Sequence, residues 1–382
     1  MKIAVTVLVF CVAALLALGM VMLYSASMAQ AGARYLAMQL IWCALGLAVC
    51  VAMTCLDYRV LKKAWWLILG VAILMLVLVL IPHIGVVHGR ARRWFGFGRV
   101  SFQPSEFAKL ALIVALAWYG EHCQRQMRGW KRGIVIPGLL IGVMAGLIFK
   151  EPDVGNAMVL ATVGGVLLLI AGIRLGYFLP PVMVAALGIS LFIYHNPMRS
   201  ERVYSWLHLE ETRREKGLQA YEAMLALGSG GITGKGLGDG RQKLGFVPEH
   251  HTDFIFSIIG EELGLIATLL VLAAYVGIVI CGIYISHHSR DPFGMFLGSG
   301  ITFLIGLQAF INIGVVTGVL PNKGLPLPFI SYGGSNLLAM LAAVGALLSI
   351  ARLGRAPEAI VSEAAESREN PFAPKALKPQ EA

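Results

Sequence analysis

The chain has 382 residues, of which 58% are hydrophobic and only 14% charged, and its formal net charge is +10. A water-soluble protein of this length needs far more charge on its surface, so that class is excluded. The positive balance does not call for nucleic acid as a partner, because in a polytopic membrane protein it reflects inner loops that face anionic lipid.

The apolar residues fall in runs of about twenty, the length that spans a bilayer. In chain order, spans are expected near 3–25, 37–56, 64–82, 105–120, 133–149, 154–172, 175–194, 253–285, 294–317 and 331–351. The pattern predicts an all-α polytopic membrane protein of about ten transmembrane helices, with a large extracytoplasmic loop, 195–252, between the seventh and the eighth. The runs at 105–120 and 133–149 are the shortest, and losing either would reverse the sidedness of everything downstream. The first run follows Lys2, and Ala29-Gln30-Ala31 resembles a cleavage site. An apolar stretch of about twenty residues exceeds the roughly 7–15 of a secretory signal, so it reads as an uncleaved span.

Short cytoplasmic loops collect Lys and Arg. With the N-terminus inside, the inner loops hold Arg59, Lys62, Lys63, Arg125, Arg128, Lys131, Arg132, Arg174, Arg290, Arg352 and Arg355. The outer ones hold Arg34, Arg90, Arg92, Arg93, Arg99, Lys150 and Lys323. The balance puts both termini in the cytoplasm and Asp253 at the outer surface. The basic cluster at 90–99 runs against the rule and calls for another reason, such as an anionic ligand. Residues 1–353 form one membrane domain. The tail, 354–382, is rich in Ala, Pro, Glu and Lys without apolar periodicity and is expected to be disordered. The outer loop opens with basic residues and aromatics, Arg199, Arg202, Tyr204 and Trp206, which suits either a helix lying in the interface or a solvated linker. The cysteines sit mostly in apolar runs and form no disulfide pattern.

Pro248-Glu249-His250-His251-Thr252-Asp253-Phe254 packs two acids and two histidines at the mouth of a span. Hydrocarbon does not solvate a carboxylate, so Asp253 reads as functional. Thr252 or Asp253 would also cap the helix, and the helix dipole that favours capping keeps the carboxylate ionised. Glu249 and His251 are candidate substrate contacts; the spacing of 249, 250, 251 and 253 matches no standard zinc motif. Glu261 and Glu262 lie two turns further in, about 12 Å deeper, and must face the protein interior or a wet cavity.

Gly228-Ser229-Gly230-Gly231-Ile232-Thr233-Gly234-Lys235-Gly236 imitates a phosphate loop but puts Ser229 at its first glycine and Gly236 where a magnesium-binding hydroxyl belongs. Its glycines read instead as tight turns beside a membrane cavity. Arg92-Arg93-Trp94 combines guanidinium forks with an aromatic ring, suited to phosphate or to lipid anchoring. Pro104 fits a first helical turn, and Glu106 and Lys109 share a face. They form either a buried salt bridge or a site in which Lys109 meets an anion and Glu106 orients it. Lys150-Glu151-Pro152-Asp153 crowds acid and base into one short connection. Residues 321–335 hold too much Pro and Gly for a helix and too many large apolar side chains for a solvated loop, which predicts a re-entrant segment carrying Lys323 and ending at Ser335.

Five ordered motifs, Phe102-Gln103-Pro104-Ser105-Glu106, Glu151-Pro152-Asp153-Val154-Gly155, Pro248 through Phe256, Gly260-Glu261-Glu262-Leu263-Gly264 and Pro326 through Ser335, resemble the SEDS family, which includes FtsW, RodA and SpoVE. The resemblance covers about residues 15–353, and Pro321-Asn322-Lys323-Gly324 is nearer to the FtsW type. It implies a ten-helix membrane enzyme that polymerises lipid II into glycan strands for the septal wall during division. It assigns catalysis to Asp253 and polar cavity roles to Trp94, Glu106, Lys109, Asp153, Lys323 and Ser335, with Arg93, Lys109 and Lys323 as candidates to bind pyrophosphate. Asn156 stands where the family often has Thr or Ser.

The implied reaction joins the sugar C1 of a lipid-linked strand to the 4-hydroxyl of an incoming lipid II, inverting the anomeric centre and releasing undecaprenyl pyrophosphate. Asp253 is then the base, or it holds a divalent cation, Mg2+ or Mn2+, that acidifies the hydroxyl. The implied partners are lipid II, the nascent glycan strand, a class B penicillin-binding protein that cross-links the product, and other divisome or elongasome membrane proteins. Two other readings remain open: a lipid II flippase, and a non-catalytic scaffold that activates the penicillin-binding protein.

Overall fold

The computed structural model describes residues 1–88, 91–97, 100–214, 217–241 and 252–354. Each of the ten apolar runs is a helix: α1 (Lys2–Ala31), α2 (Arg34–Cys55), α4 (Trp65–Leu80), α5 (Pro104–His122), α6 (Ile136–Lys150), α7 (Val154–Ile170), α8 (Leu175–His195), α11 (Ile255–His287), α12 (Pro292–Val316) and α13 (Gly334–Gly354). Three shorter helices are α3 (Arg59–Lys63), α9 (Pro197–Leu207) and α10 (Leu218–Ser229). Among the described residues, seven helices are long and apolar enough to cross a membrane, counting α6 with the turn that precedes it from Lys131; α4 and α7 are shorter apolar helices. Glu106, Lys109 and Glu121 interrupt the apolar character of α5.

The surface confirms a multi-pass membrane protein. The outward stripe of α11 exposes Leu265, Leu269, Leu272, Val276, Ile280 and Ile283, and α8 buries no residue at all. Water penalises such faces and lipid does not. The interior is the reverse: Glu106, Lys109, Glu151, Asp153, Glu261 and Glu262 are all buried.

At the centre, α12 packs on α5, α7 and α11, while α13 lies along α2 and α1 along α11. Small residues set the α11–α12 distance. A Cβ on Gly282 would collide with Thr302, and one on Gly298 with Ser286. Without a hydrophobic force between helices in lipid, this close backbone approach is what holds such pairs together.

Among the described residues, the strands form one small antiparallel sheet in the order β1-β2-β3: β1 (Gly85–His88), β2 (Ala91–Phe97) and β3 (Val100–Phe102). Val86 pairs with Trp94 and Phe95 with Phe102. Arg92 and Arg93 of the basic cluster, expected in an outer loop, are therefore on the middle strand; Arg90 and Arg99 lie outside the described residues. The alternation of Arg92 and Trp94 with Arg93 and Phe95 gives the two faces a strand requires.

The segment expected to be non-helical at 321–335 is so over 317–333, with Gly334 and Ser335 already in α13, and Leu325, Leu327, Phe329 and Ile330 are buried. Protein satisfies its backbone: Gln39 donates to Ser331 O at 3.2 Å, Tyr275 donates to Pro328 O, and Ser331 Oγ accepts from Leu327 N at 2.8 Å. Irregular backbone at membrane depth survives only under such cover.

Candidate active site

Two polar centres occupy the same end of the bundle. The first is built where α5, α7 and α13 begin. Pro104 starts α5, as its fixed φ favours. Asp153 caps α7, its Oδ1 accepting from Asn156 N at 3.1 Å. Asp153 Oδ2 accepts from Gln103 Nε2 and from Asn156 Nδ2, both at 2.9 Å, and lies 3.5 Å from the Arg93 guanidinium of β2. Asn156 Oδ1 accepts from Lys109 Nζ at 3.1 Å, and Lys109 also pairs with Glu106 at 2.9 Å. Asn336 of α13 donates to the other Glu106 oxygen at 2.8 Å. Ser335 Oγ accepts from Gln103 N at 3.0 Å and donates to Ser101 O at 3.3 Å.

This network joins Arg93, Glu106, Lys109, Asp153 and Ser335, which lie far apart in sequence. Of the two readings of Glu106 and Lys109, the structure adopts the buried salt bridge: their side chains are 2% and 1% exposed. Arg93 keeps a third of its side chain exposed and is the cation of the group that can reach outward. Trp94 stands next to it on β2, half-buried.

The second centre is Asp253, half-buried in the turn that precedes α11. Its backbone carbonyl accepts from Asn312 Nδ2 at 2.8 Å, and the same amide donates to Leu325 O at 2.7 Å. A Cβ on Gly324 would stand 2.7 Å from Asp253 Oδ2, so the loop passes close against the carboxylate, and a side chain there would make the carboxylate move. The carboxylate lines a cavity of about 490 Å³ together with Glu201, Arg202 and Trp206 of α9, Gln219 of α10 and Asn322. Trp206 Nε1 donates to Gly318 O at 2.8 Å, and Asn322 to Gln219 at 3.1 Å, so both short helices of the 195–252 segment are tied to the 317–333 loop.

Lys323 links the two centres. It precedes Gly324, and its ammonium lies 2.8 Å from the Met158 sulfur of α7, half a turn beyond Asn156. Among the described residues it has no carboxylate partner. Burial pushes its pKa down. Glu249 and His251 fall at 242–251, outside the described residues, together with His250.

A second cavity, about 450 Å³ and almost wholly apolar, lies between α2, α4, α5 and α13. Val49, Met53, Ile68, Phe107 and Leu338 line it, and Ser335 of the polar network is at its edge.

Glu261 and Glu262 form a third cluster, clasped by the glycine loop. Lys235 Nζ and Arg241 N donate to Glu261 Oε1 at 2.9 and 3.0 Å. Gly238 N and Ser25 Oγ donate to Glu262 Oε2 at 3.1 and 2.6 Å. Gly264, with φ of 77°, kinks α11 so that the loop backbone can join it, with Leu265 N donating to Gly231 O at 3.0 Å. These acids pin the loop that leads towards Asp253.

Sequence reasoning missed Gln103, Asn156, Asn312 and Asn336, all uncharged amides that hold the charged groups in place. The signals were Gln103, which lies in one of the five motifs, and Asn156, which stands where the resemblance favours a hydroxyl; the longer amide reaches both Lys109 and Asp153.

Residues 6–356 match the family model described as "cell cycle protein", that of FtsW, RodA and SpoVE. The chain belongs to the FtsW/RodA/SpoVE family. It is 40% identical over 343 residues to the probable peptidoglycan glycosyltransferase FtsW of Geobacter metallireducens, a match covering 88% of this chain and 92% of that one. It is 38% identical over 351 residues to stage V sporulation protein E of Bacillus subtilis, covering 89% and 95%. Among solved structures, one described as "Structural coordination of polymerization and crosslinking by a peptidoglycan synthase complex" is similar with a TM-score of 0.75 at 30% identity, over 91% of this chain and 97% of that one. RodA of Thermus thermophilus is similar with a TM-score of 0.67 at 29% identity, over 90% and 95%. In this FtsW/RodA/SpoVE member the family match embraces both polar centres and the loop between them.

Proposed function

We propose that this chain is a peptidoglycan glycosyltransferase that polymerises lipid II into glycan strands at the outer face of the cytoplasmic membrane, in septal wall synthesis. The names of its relatives support the activity, and the FtsW-type relatives support the septal role. The observation that carries the chemistry is Lys323. A half-buried ammonium with no carboxylate partner among the described residues, next to the glycine that abuts Asp253, suits an anionic ligand brought beside a carboxylate. The apolar cavity at Ser335 suits the hydrocarbon tail of such a ligand.

We read the chain as crossing ten times with both termini inside, as the Lys and Arg balance of its short loops supports; on that reading the two polar centres and Asp253 face the outside, where polymerisation takes place. Asp253 accepts the proton of the acceptor 4-hydroxyl as its oxygen bonds to the donor C1. The bond from C1 to the pyrophosphate oxygen breaks, and undecaprenyl pyrophosphate leaves with the electron pair. Attack opposite the leaving group inverts the centre. Arg93 and Lys323 offset the charge that develops on the pyrophosphate. Lys109 serves indirectly, holding Asn156 and through it Asp153.

The carboxylates of Asp253 and Glu201 on one cavity are hard oxygen donors of the kind that suit Mg2+ or Mn2+. Together they would hold the ion. Bound there, it would acidify the hydroxyl and neutralise pyrophosphate charge. Among the described residues no three His, Cys, Asp or Glu side chains form a protein-only cage.

The implied partner is a class B penicillin-binding protein; the similar synthase complex, described as coordinating polymerisation and crosslinking, supports it. The test is lipid II polymerisation by the purified protein with that partner, its transpeptidase blocked, beside Asp253→Ala. Strands from the wild type and none from a folded variant are expected. Equal strands from both would remove Asp253 from the reaction. No strands from either, with the partner bound, would favour a flippase or a scaffold.

A further inference from the structure

The connection between α6 and α7 holds a carboxyl group that the reaction above does not use. Glu151 is wholly enclosed, and neither of its carboxyl oxygens has a hydrogen-bond partner among the described residues. It is the C-cap of α6, its N–H bonded to Ile148 O at 3.0 Å, so it sits at the negative end of that helix dipole. Asp153, two residues on, is the N-cap of α7, at a positive end, and its oxygens accept from Gln103, from Asn156 and from the backbone. Two carboxyls in one turn therefore have opposite surroundings. Asp153 is ringed by donors and Glu151 meets none among the described residues, the kind of asymmetry by which proteins separate the roles of neighbouring acids.

Among the described residues, the charged groups that face Glu151 are Asp153 on its own turn and Arg93 from β2. Glu106 and Lys109 of α5 stand one step further off, behind Asn156, and neutralise each other. Arg93 is held loosely: it lies 3.5 Å from an Asp153 oxygen that already accepts two amide bonds, and a third of its side chain is exposed.

We propose that Glu151 is a neutral acid in the working protein, a positioning residue whose proton keeps the Arg93 guanidinium free for the pyrophosphate of a lipid-linked substrate. The inference rests on the function proposed above and names a control on its anion-binding centre. If Glu151 ionised, Arg93, the cation that faces it among the described residues, would be drawn inward, leaving the pocket one positive charge poorer. Burial, then the neighbouring Asp153 charge, push the Glu151 pKa up to about 8, against a smaller opposing pull from Arg93. Anion capture should therefore weaken on the alkaline side, as the proton leaves.

The test uses the full-length protein with its partner and compares polymerisation of lipid II at about pH 7 and about pH 9 for wild type and Glu151→Gln, which keeps shape and neutrality without a titrating proton. The ratio of the two rates should fall about tenfold more in the wild type than in the variant, as expected for a group titrating near 8. The same preparations are read by infrared spectroscopy for a buried carboxylic C=O stretch that is absent from Glu151→Gln and disappears as the pH is raised. An alkaline limb identical in both proteins, with strands still made, overturns the inference while the polymerase reading stands. Absence of strands from both at every pH counts against the polymerase reading instead. The infrared band then judges Glu151 alone: a protonated carboxyl near neutral pH supports its neutrality, and a carboxylate there overturns it.

Discussion

The Asn312 side chain donates at 2.8 Å to the backbone carbonyl of Asp253, and with the same amide at 2.7 Å to Leu325 O. One buried group on α12 thus sets the spacing between the start of α11 and the loop that carries Lys323 and Gly324. Replacing it with Leu removes both bonds at similar volume. Two such bonds contribute about 1–3 kcal/mol. Asn312→Leu is expected to lower thermal stability by that order and to reduce the turnover of lipid II polymerisation more than it raises KM. Wild-type turnover in the variant would show that Asp253 is positioned by other means.

Gly324 tests the same arrangement from the opposite side. A methyl group there would lie 2.7 Å from Asp253 Oδ2, closer than a real side chain tolerates. Either the carboxylate or the loop must shift. A displacement of about 1 Å at a reacting group costs about a hundredfold in rate. Gly324→Ala should therefore lose polymerisation by about that factor while still eluting as a folded protein in complex with its partner. Rates within a few-fold of wild type would place the reacting atoms away from this contact.

Glu106 and Lys109 predict a thermodynamic cycle. Both are enclosed, and each has one further amide partner, Asn336 or Asn156. Removing one charge strands the other in a dry site, at a cost of about 3–5 kcal/mol, whereas removing both is cheaper. Lys109→Met should be markedly less stable to thermal unfolding in detergent, and Glu106→Gln with Lys109→Met should recover much of the loss. A double variant no better than Lys109→Met alone would mean that the pair is not coupled.

Much of this protein was legible in its sequence because a bilayer imposes a coarse rule. Ten apolar runs gave ten helices within a few residues at most ends, and the Pro- and Gly-rich segment before Ser335 is a covered, non-helical stretch. The pairing of Glu106 with Lys109 followed from helical spacing. The sheet at 85–102 was not legible, because Arg92, Arg93 and Trp94 carry a charge signal stronger than their strand alternation. Gln103, Asn156, Asn312 and Asn336 were missed for a different reason. An amide has no charge to mark it, and its importance arises only when the fold brings buried carboxylates and carbonyls within about 3 Å. Asp253 stood out in the sequence as a candidate, but its closeness to Gly324 depends on how the 317–333 loop folds back.

Glu151 also makes stability depend on pH, and the sign follows from its burial. The folded protein holds its proton up to about pH 8, against an ordinary value of 4.5 for the unfolded chain. Below the ordinary value both states are protonated and the group contributes no pH dependence. Between the two values the unfolded chain releases the proton and the folded one keeps it, so each pH unit favours unfolding by about 1.4 kcal/mol from this group. Above about 8 the loss levels off, at a total on the order of a few kcal/mol. Glu151→Gln removes the titration. Its stability relative to wild type should rise from about pH 5 to about pH 8 and then stay constant, read as the difference between their unfolding midpoints across a pH series. A difference that does not change with pH would show that Glu151 is ionised in the folded protein and has found a partner that holds its charge.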